Sequence, residues 1–523
     1  MRQLLAGEGC ANEGLSHTSS SLDLHRCGTV SGRSLICFCG GLRENERKTY
    51  QLHVSGEHST DRETRDQRTS GPAYQRTIAN MAPPKRTILG QDPEVLLALW
   101  ANVLSWFVST FAPSLLPRLL PAACAEEDAT DTGSGSGATT GAPDNRTRCI
   151  SIGRPGGSEQ LRLVKLRQSV VTVGYNLTDF CRPPYTPALT DDRIPEDSVV
   201  LDNEAFSVNY ADVCIRWGLY ESAKRFVGYP IVPGFDVAGR VAKVGSNVKT
   251  LKPGDRVFGC TLFGAYSSRV LVPALQLRPI PEGLSMPRAA ALPAVSLTAL
   301  HALSLAGHFP EKSKYSNKAI LIHSAAGGVG SMLVQMSKIL GLGPVVGVVG
   351  SSSKVDEAKS LGCDVVIDKS TEDLWEAAER ASPSGYSTIM DANGVSTLQQ
   401  SYDHLAATGR LVVFGFHSNL PMGKAALDPM QWVKMASKAS KMPTFDPMDM
   451  VTSNKSVLGF NLSFFADEAE IVSDLFDQIC AWLKFDRLKV PRVTELELER
   501  IVEAHELIQS GKSVGKIVIK VQG

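Results

Sequence analysis

The stretch Ala319-Ile320-Leu321-Ile322-His323-Ser324-Ala325-Ala326-Gly327-Gly328-Val329-Gly330 decides the fold. Its first four residues are apolar and read as a short buried strand. A turn of small residues follows, and Ser331-Met332-Leu333-Val334-Gln335-Met336 opens a helix. In that setting the N–H groups at a helix N-terminus can cradle a pyrophosphate. Gly327 and Gly328, between Ala326 and Val329, let the backbone approach such a group, and Gly330 lets helix and strand pack closely. Ala325 stands where the first glycine of G-x-G-x-x-G would fall, so the motif is carried by its context rather than by its letters. A tight strand–helix turn without a ligand is the alternative reading of the same residues.

Outward from this stretch, strands and helices alternate. Pro344–Val349, Val365–Ile367, Thr388–Asp391 and Arg410–Phe414 read as strands, with helices after Gly328, from Lys354, from Thr371 and after Ser396. Val457-Leu458-Gly459-Phe460 reads as a last strand of the series. This spacing argues a parallel, doubly wound sheet. The second strand selects the cofactor. An NAD site needs an acid about 20 residues beyond the glycines to hold the ribose 2′-hydroxyl. Here the strand ends in Gly350-Ser351-Ser352-Ser353-Lys354. Ser351 and Lys354 suit a 2′-phosphate, so NADPH is expected; a plain solvated lysine is the alternative. Upstream, Cys149–Ile152, Leu161–Leu166, Val199–Val208, Val237–Val244 and Arg269–Val272 are β-like runs punctuated by Gly and Pro, and 168–196 looks like an inserted loop. Downstream, Asp467–Phe485 carries a long helix pattern and Leu496–Gln509 follows. Gly515–Val521 is a final strand that need not belong to the alternating series.

The first 145 residues differ in composition. Residues 1–80 are rich in Ser, Thr, Gly, Arg and Glu, show no periodicity and are expected to be disordered. Glu8, Glu13 and Asp23 argue against a mitochondrial presequence, and Met81 is a second plausible start. Val95 to Pro117 carries no charge, close to the ~20 residues a membrane span needs. Asn102, Ser105, Ser109 and Pro113 favour shallow insertion or a packed helix over a firm span. Residues 129–144 read as a Gly/Ser/Thr linker. Lys plus Arg and Asp plus Glu are each 54 in 523 residues; that balance argues against a nucleic-acid partner. Eleven scattered cysteines without a CxxC pair argue for free thiols in a reducing compartment.

From about 146 onward the chain resembles the medium-chain dehydrogenase/reductase superfamily, in its quinone oxidoreductase (zeta-crystallin-like) branch. The carrying motifs are Asn209-Tyr210-Ala211-Asp212 with Arg216 and Gly218-Leu219-Tyr220, then Pro230–Gly239, Gly254-Asp255-Arg256-Val257, and the glycine turn. Val457–Leu462 and the Met/Lys-rich 430–442 stretch resemble the vesicle amine transport protein homologues of that branch. The resemblance implies an α/β fold of two parts: a GroES-like, β-rich catalytic domain (146–290 and 463–523) and a Rossmann NADP-binding domain (291–462), after the 1–145 extension. It implies a homodimer. It also implies zinc independence: Asn209 stands where the zinc enzymes carry their first Cys, Phe235 replaces their His, and no Cys lies in 293–298. By the same resemblance Tyr220 is the donor to a substrate oxygen, or an aromatic wall of the cleft, and Asn209 faces the nicotinamide or that oxygen. Thr298 begins the helix leading into the nucleotide domain, Asn393 lies where the coenzyme ribose passes, and Phe414 and Gly415 meet the carboxamide. Cys214, a tyrosine in relatives, reads as a packing cysteine, and Asp368-Lys369 replaces an aromatic beside the adenine.

The function implied is zinc-free, NADPH-dependent hydride transfer to a quinone or α,β-unsaturated carbonyl in the cytoplasm, with membrane association through 95–117. The alternative is a membrane-associated, lipid-handling protein that keeps NADPH as a structural ligand.

Overall fold

A computed structural model describes residues 147–166, 194–308, 318–417, 433, 437, 440–465 and 468–521. The expectations for the 1–145 extension, its apolar 95–117 segment, the 129–144 linker, most of the 168–196 loop and most of the 430–442 stretch lie outside these residues.

The elements run β1 (Thr147–Ile152), β2 (Leu161–Leu166), β3 (Ser198–Val208), α1 (Tyr210–Arg216), α2 (Glu221–Phe226), β4 (Asp236–Val244), β5 (Arg256–Cys260), β6 (Arg269–Pro273), β7 (Leu277–Pro279), α3 (Met286–Ala290) and α4 (Pro293–Leu305). They continue with β8 (Ile320–Ile322), α5 (Gly328–Ile339), β9 (Val345–Val349), α6 (Val355–Leu361), β10 (Val365–Asp368), α7 (Leu374–Ala381), β11 (Tyr386–Asp391), α8 (Leu398–Asp403), β12 (Leu405–Val413), α9 (Pro447–Ser453) and β13 (Ser456–Gly459). The last are α10 (Ala469–Lys484), β14 (Val493–Glu497), α11 (Ile501–Gln509) and β15 (Lys516–Lys520).

Six strands form one sheet in the order β10-β9-β8-β11-β12-β13, every pair parallel. This is the doubly wound order, with its switch point between β8 and β11. Val345–Val349 is buried at every position, as a strand covered by helices on both faces must be. The second sheet has the order β14-β15-β3-β4-β5-β7, with β6 also on β3, and is antiparallel except for β14 on β15. β15 therefore pairs with β3, more than 300 residues upstream, with Ile517 opposite Val208. The last described strand thus returns to the antiparallel sheet that β3 opens.

Helix α4 joins the two sheets. Its Val295, Leu297, Leu300 and Leu303 share one core with Ala205, Ala238 and Phe258 of the antiparallel sheet, Met332, Leu333 and Val334 of α5, and Phe476, Ile479 and Trp482 of α10. The stretch Met286–Leu305, which covers α3 and α4, is apolar and long enough by composition to cross a membrane, yet most of it is buried within the protein.

Three readings of the sequence shift. Thr298 does not begin a helix: α4 starts at Pro293, whose fixed φ suits the first helical position, and Thr298 lies inside it, its hydroxyl donating to Ala294 O at 2.7 Å. β12 begins at Leu405 rather than Arg410, because its early residues pair with β11 across a register shift and Thr408 takes a positive φ, which hides the strand period. Within Leu496–Gln509, Leu496 and Glu497 belong to β14, and the helix proper starts at Ile501.

Gly330 fixes how closely α5 follows β8. A Cβ there would lie 2.1 Å from Ser324 O and 2.8 Å from Ala325 Cα, both backbone. Gly330→Ala should destabilise the protein by about 1–3 kcal/mol, read as a lowered Tm; an unchanged Tm would show that the turn has slack.

Candidate active site

A cavity of about 2410 Å³ runs along the C-terminal ends of the parallel strands, against the β3–α1 corner and the start of β15. It is larger than the ~300–1,000 Å³ of an ordinary small-molecule pocket. Asn209, Tyr220, Thr298, Ala326, Gly327, Gly328, Val329, Gly330, Lys354, Asn393, Phe414 and Gly415 all line it. Ser351 does not; its hydroxyl pairs with that of Ser353 at 3.0 Å.

One half is built for a dinucleotide. Gly327 is the N-cap of α5, whose first N–H groups have no partner within the helix. A side chain on Gly328 would meet Lys516 Cδ at 2.9 Å and Val295 Cγ1 at 3.0 Å, so the open turn depends on the glycine. Gly515 N donates to Ala326 O at 2.9 Å and ties β15 to this turn. At the β9 end Lys354 donates to Gly511 O at 2.6 Å, and Lys369 joins it in the wall. Burial and then the Lys369 charge lower the Lys354 pKa. The neighbouring Asp368 accepts from Ser352 Oγ (2.5 Å), Ser370 Oγ (2.6 Å) and Ser370 N (3.0 Å), which hold its carboxyl below the usual range. That acid is thus committed to serines, and the wall offers two ammonium groups. At the switch point, His323 Nδ1 and Asn393 Oδ1 are buried without a hydrogen-bond partner. The glycine cradle, the paired lysines and these two atoms fit a phosphorylated dinucleotide.

The other half centres on Asn209, the N-cap of α1 in a capping box with Asp212. Its Nδ2 donates to Asp236 Oδ2 at 2.7 Å, and its Oδ1 accepts from Lys516 Nζ at 2.7 Å. The expectation that Asn209 faces the substrate is modified: its amide is clamped at both ends, leaving one Nδ2 hydrogen uncommitted. Lys516 also lies 3.7 Å from Asp236, whose Oδ1 accepts from Ala294 N at 2.6 Å at the start of α4. Ser207 donates its hydroxyl to the same carboxylate. The Lys516 side chain is only 3% exposed; burial lowers its pKa, and Asp236 and Asp212 oppose the shift. Burial raises the Asp212 pKa to about 7, against hydrogen bonds from Asn209 N and Tyr266 Oη. Tyr220 pairs with Ser463 Oγ (2.9 Å) and donates to Asn461 Oδ1 (3.2 Å), with its ring edge-on to Phe235 at 5.9 Å. Burial pushes its phenol up to about 12 and the Cys214 thiol to about 12, so neither ionises at neutral pH.

Sequence reasoning missed Lys516 and Lys369. A lysine opening an apolar strand looks like a surface residue until the strand is paired with β3, and Lys369 looked like the loss of an aromatic rather than the gain of a cation. The zinc of related enzymes does not suit this donor set. Around Asn209 stand a buried ammonium, a carboxylate it neutralises and Cys260, whose Sγ is 3.8 Å from Asp236 and whose thiol burial keeps protonated. Among the described residues no group of three or more His, Cys, Asp or Glu could hold a metal.

Two family models match: an alcohol dehydrogenase GroES-like domain over residues 195–282 and a zinc-binding dehydrogenase over 328–478. The human synaptic vesicle membrane protein VAT-1 homolog is 30% identical over 318 residues, 60% of this chain and 77% of that protein. A 2-haloacrylate reductase from a Burkholderia species is 31% identical over 327 residues, 61% of this chain and 90% of that enzyme. The Escherichia coli quinone oxidoreductase complexed with NADPH superposes with a TM-score of 0.56 at 25% identity, covering 72% of this chain and all of that one. With the parallel sheet, the antiparallel sheet and the cleft between them in the arrangement described, the chain belongs to the medium-chain dehydrogenase/reductase family of oxidoreductases, in the quinone oxidoreductase-like branch near the VAT-1 homologues.

Proposed function

We propose that the protein is a zinc-independent, NADPH-dependent reductase of quinones or α,β-unsaturated carbonyls. The observation that carries this reading is the single cavity that joins the glycine turn and the two lysines to Tyr220 and Asn209. The names of relatives that reduce a haloacrylate or a quinone support it.

NADPH would supply a hydride from its nicotinamide. The N–H groups of Gly328, Val329 and Gly330 would hold its pyrophosphate, with the buried Lys516 ammonium close by. Lys354 and Lys369 would hold the 2′-phosphate; Lys369 takes the part first given to Ser351. Phe414 and Gly415 would flank the carboxamide, and Thr298, inside α4, would contribute only wall. Tyr220 remains protonated in its buried site, and on turning its one hydrogen from Asn461 Oδ1 to a carbonyl oxygen on which charge develops it would give a hydrogen bond and then the proton on Oη. Ser463 and Asn461 hold the phenol in place before substrate arrives. Phe235, Leu262, Phe460 and Phe465 line the same space and give it apolar walls, which would strengthen that hydrogen bond. Conjugated acceptors suit a site without a metal, because their charge spreads onto one oxygen that a single donor can meet. A homodimer is part of the proposal; β13 is the edge of the six-stranded sheet among the described residues.

A second reading, a membrane-associated binding protein, draws on the vesicle-membrane names of the relatives and on residues 95–117. NADPH binding without turnover of any acceptor would favour it.

Two outcomes are expected. The full chain should oxidise NADPH with members of a quinone and enone panel, at a rate untouched by a chelator. Binding without turnover across the panel overturns the reductase reading, and loss of rate with chelator overturns zinc independence. Lys354→Ala and Lys369→Ala should each weaken NADPH binding about ten-fold or more while sparing NADH, since a charged contact to phosphate contributes roughly 1.5–3 kcal/mol. Equal losses for the two nucleotides would remove the lysines from the phosphate site.

A further inference from the structure

The charged groups that line the cavity are already committed within the protein. Among the described residues its lysines and arginines are Lys249, Arg278, Lys354, Lys369 and Lys516. Lys354 and Lys369 stand at the β9 and β10 ends, in the nucleotide half. Lys516 donates to Asn209 Oδ1 at 2.7 Å and to Val208 O at 3.2 Å, and Asp236 Oδ2 at 3.7 Å balances its charge. All five N–H groups of Arg278 have acceptors. Asp477 Oδ1 takes Nε (2.6 Å), Leu275 O and Leu277 O take Nη1 (2.8 and 3.0 Å), and Ser473 Oγ and O take Nη2 (2.6 and 3.2 Å). Lys249 donates to Ser246 O from the exposed loop after β4. The acid beside Tyr220, Glu221, is held by Lys224 (2.9 Å) and Arg225 (2.6 Å). An ionised acceptor would lose its water near Tyr220 and gain no counter-ion in return, an unfavourable exchange.

The apolar wall runs on past this point. Asp236 opens β4 opposite Cys260 of β5, and Gly259 of β5 lies opposite Leu277 of β7. With neighbouring strands ~4.8 Å apart, the wall passes about 10 Å sideways from β4 to β7. There Leu251, Leu275, Leu277, Val472 and Phe476 line the same cavity, from the β4–β5 loop, the β6–β7 turn with the start of β7, and α10. The Arg278 bonds to Asp477 and Ser473 tie β7 to α10 along this stretch. Leu275 is 48% exposed at its edge, so the fold itself leaves that side chain uncovered. The cavity of about 2410 Å³ exceeds two ordinary small-molecule pockets together, even at ~1,000 Å³ each. A small acceptor beside the dinucleotide would leave this wall against water. One with an apolar chain would cover it, and burial of apolar surface supplies the driving force.

We propose that the acceptor is an uncharged molecule with an apolar hydrocarbon chain, its conjugated head at Tyr220 and its chain lying across β5 and β7 toward Leu275. The inference rests on the reductase reading and names the substrate class of that site. It separates this chain from the 2-haloacrylate reductase to which it is similar, because an acrylate is a small anion and the cavity offers it neither a free cation nor a use for the apolar wall.

The test is a series of 3-alken-2-ones of rising chain length, reduced by the full chain with NADPH. The conjugated head is the same throughout, so differences in kcat/KM report the chain. Each added methylene should raise kcat/KM roughly two- to four-fold until the wall is covered, the scale of burying one CH₂. A second pair carries, three bonds beyond the conjugated system, either a carboxylate or its methyl ester, and the ester should be preferred by roughly a hundred-fold, as for an unpaired charge taken out of water. Leu275→Glu, at an exposed position, should cut the preference for long over short chains roughly five-fold or more. A kcat/KM that does not change with chain length overturns the inference while the reductase reading stands, and so does a carboxylate reduced as well as its ester. If neither these ketones nor any quinone is reduced, the reductase reading fails and takes this one with it. The wild-type series decides even where the variant does not fold.

Discussion

The candidate site depends on one buried ion pair, Lys516 with Asp236, bridged by the Asn209 amide. Neither charge could stay buried alone, since an uncompensated ion in a low-dielectric interior costs several kcal/mol. Each partner comes from a different part of the chain: Asp236 opens β4, Lys516 opens β15, and Asn209 caps α1. The carboxylate also takes the Ala294 N–H at the start of α4, the helix that joins the two sheets. One residue before Lys516, Gly515 bonds to the glycine turn. The two walls of the cavity are thus positioned by the same few atoms, with β15 as the clasp.

If, as the family resemblance implies, Asn209 stands where the zinc enzymes carry a metal-binding cysteine, this arrangement accounts for the exchange. The amide must accept from an ammonium and donate to a carboxylate at once, which a thiolate cannot do. With Lys516 present, the site already holds a positive charge, and a divalent cation beside it would meet repulsion rather than a set of anionic ligands. On the proposed reading, polarisation of a substrate carbonyl would fall to hydrogen bonding, for which the Tyr220 phenol, kept protonated by its burial, is suited.

The doubly wound sheet was legible because its strands are short, wholly apolar and separated by helix-length segments; Val345–Val349 and Ile320–Ile322 leave no other reading. The glycine turn was legible from context although Ala325 breaks the motif. β14 and the start of β12 were not, since Val493–Glu497 alternates with charged residues and Leu405–Gly409 is distorted by a positive φ and a register shift. The start of α4 was misplaced because Pro293 was not taken as a first-turn residue. In the site, what lay within one local segment could be read: the turn and the acid-free end of β9. What depended on pairing across 300 residues could not. Lys516 reaches Asn209 only through the register of β15 on β3, and no local pattern encodes that register.

The most direct test of this account is the rate of NADPH oxidation by a folded Lys516→Met protein, with a conjugated acceptor that the wild-type protein reduces. Methionine keeps much of the side-chain length and removes the charge and the Asn209 contact. The account predicts a fall of about a hundred-fold, the scale of a misplaced reacting geometry, in protein whose circular dichroism matches wild type. A rate within a factor of two of wild type would contradict it, and would show that the buried lysine is structural filling rather than the clasp of the site.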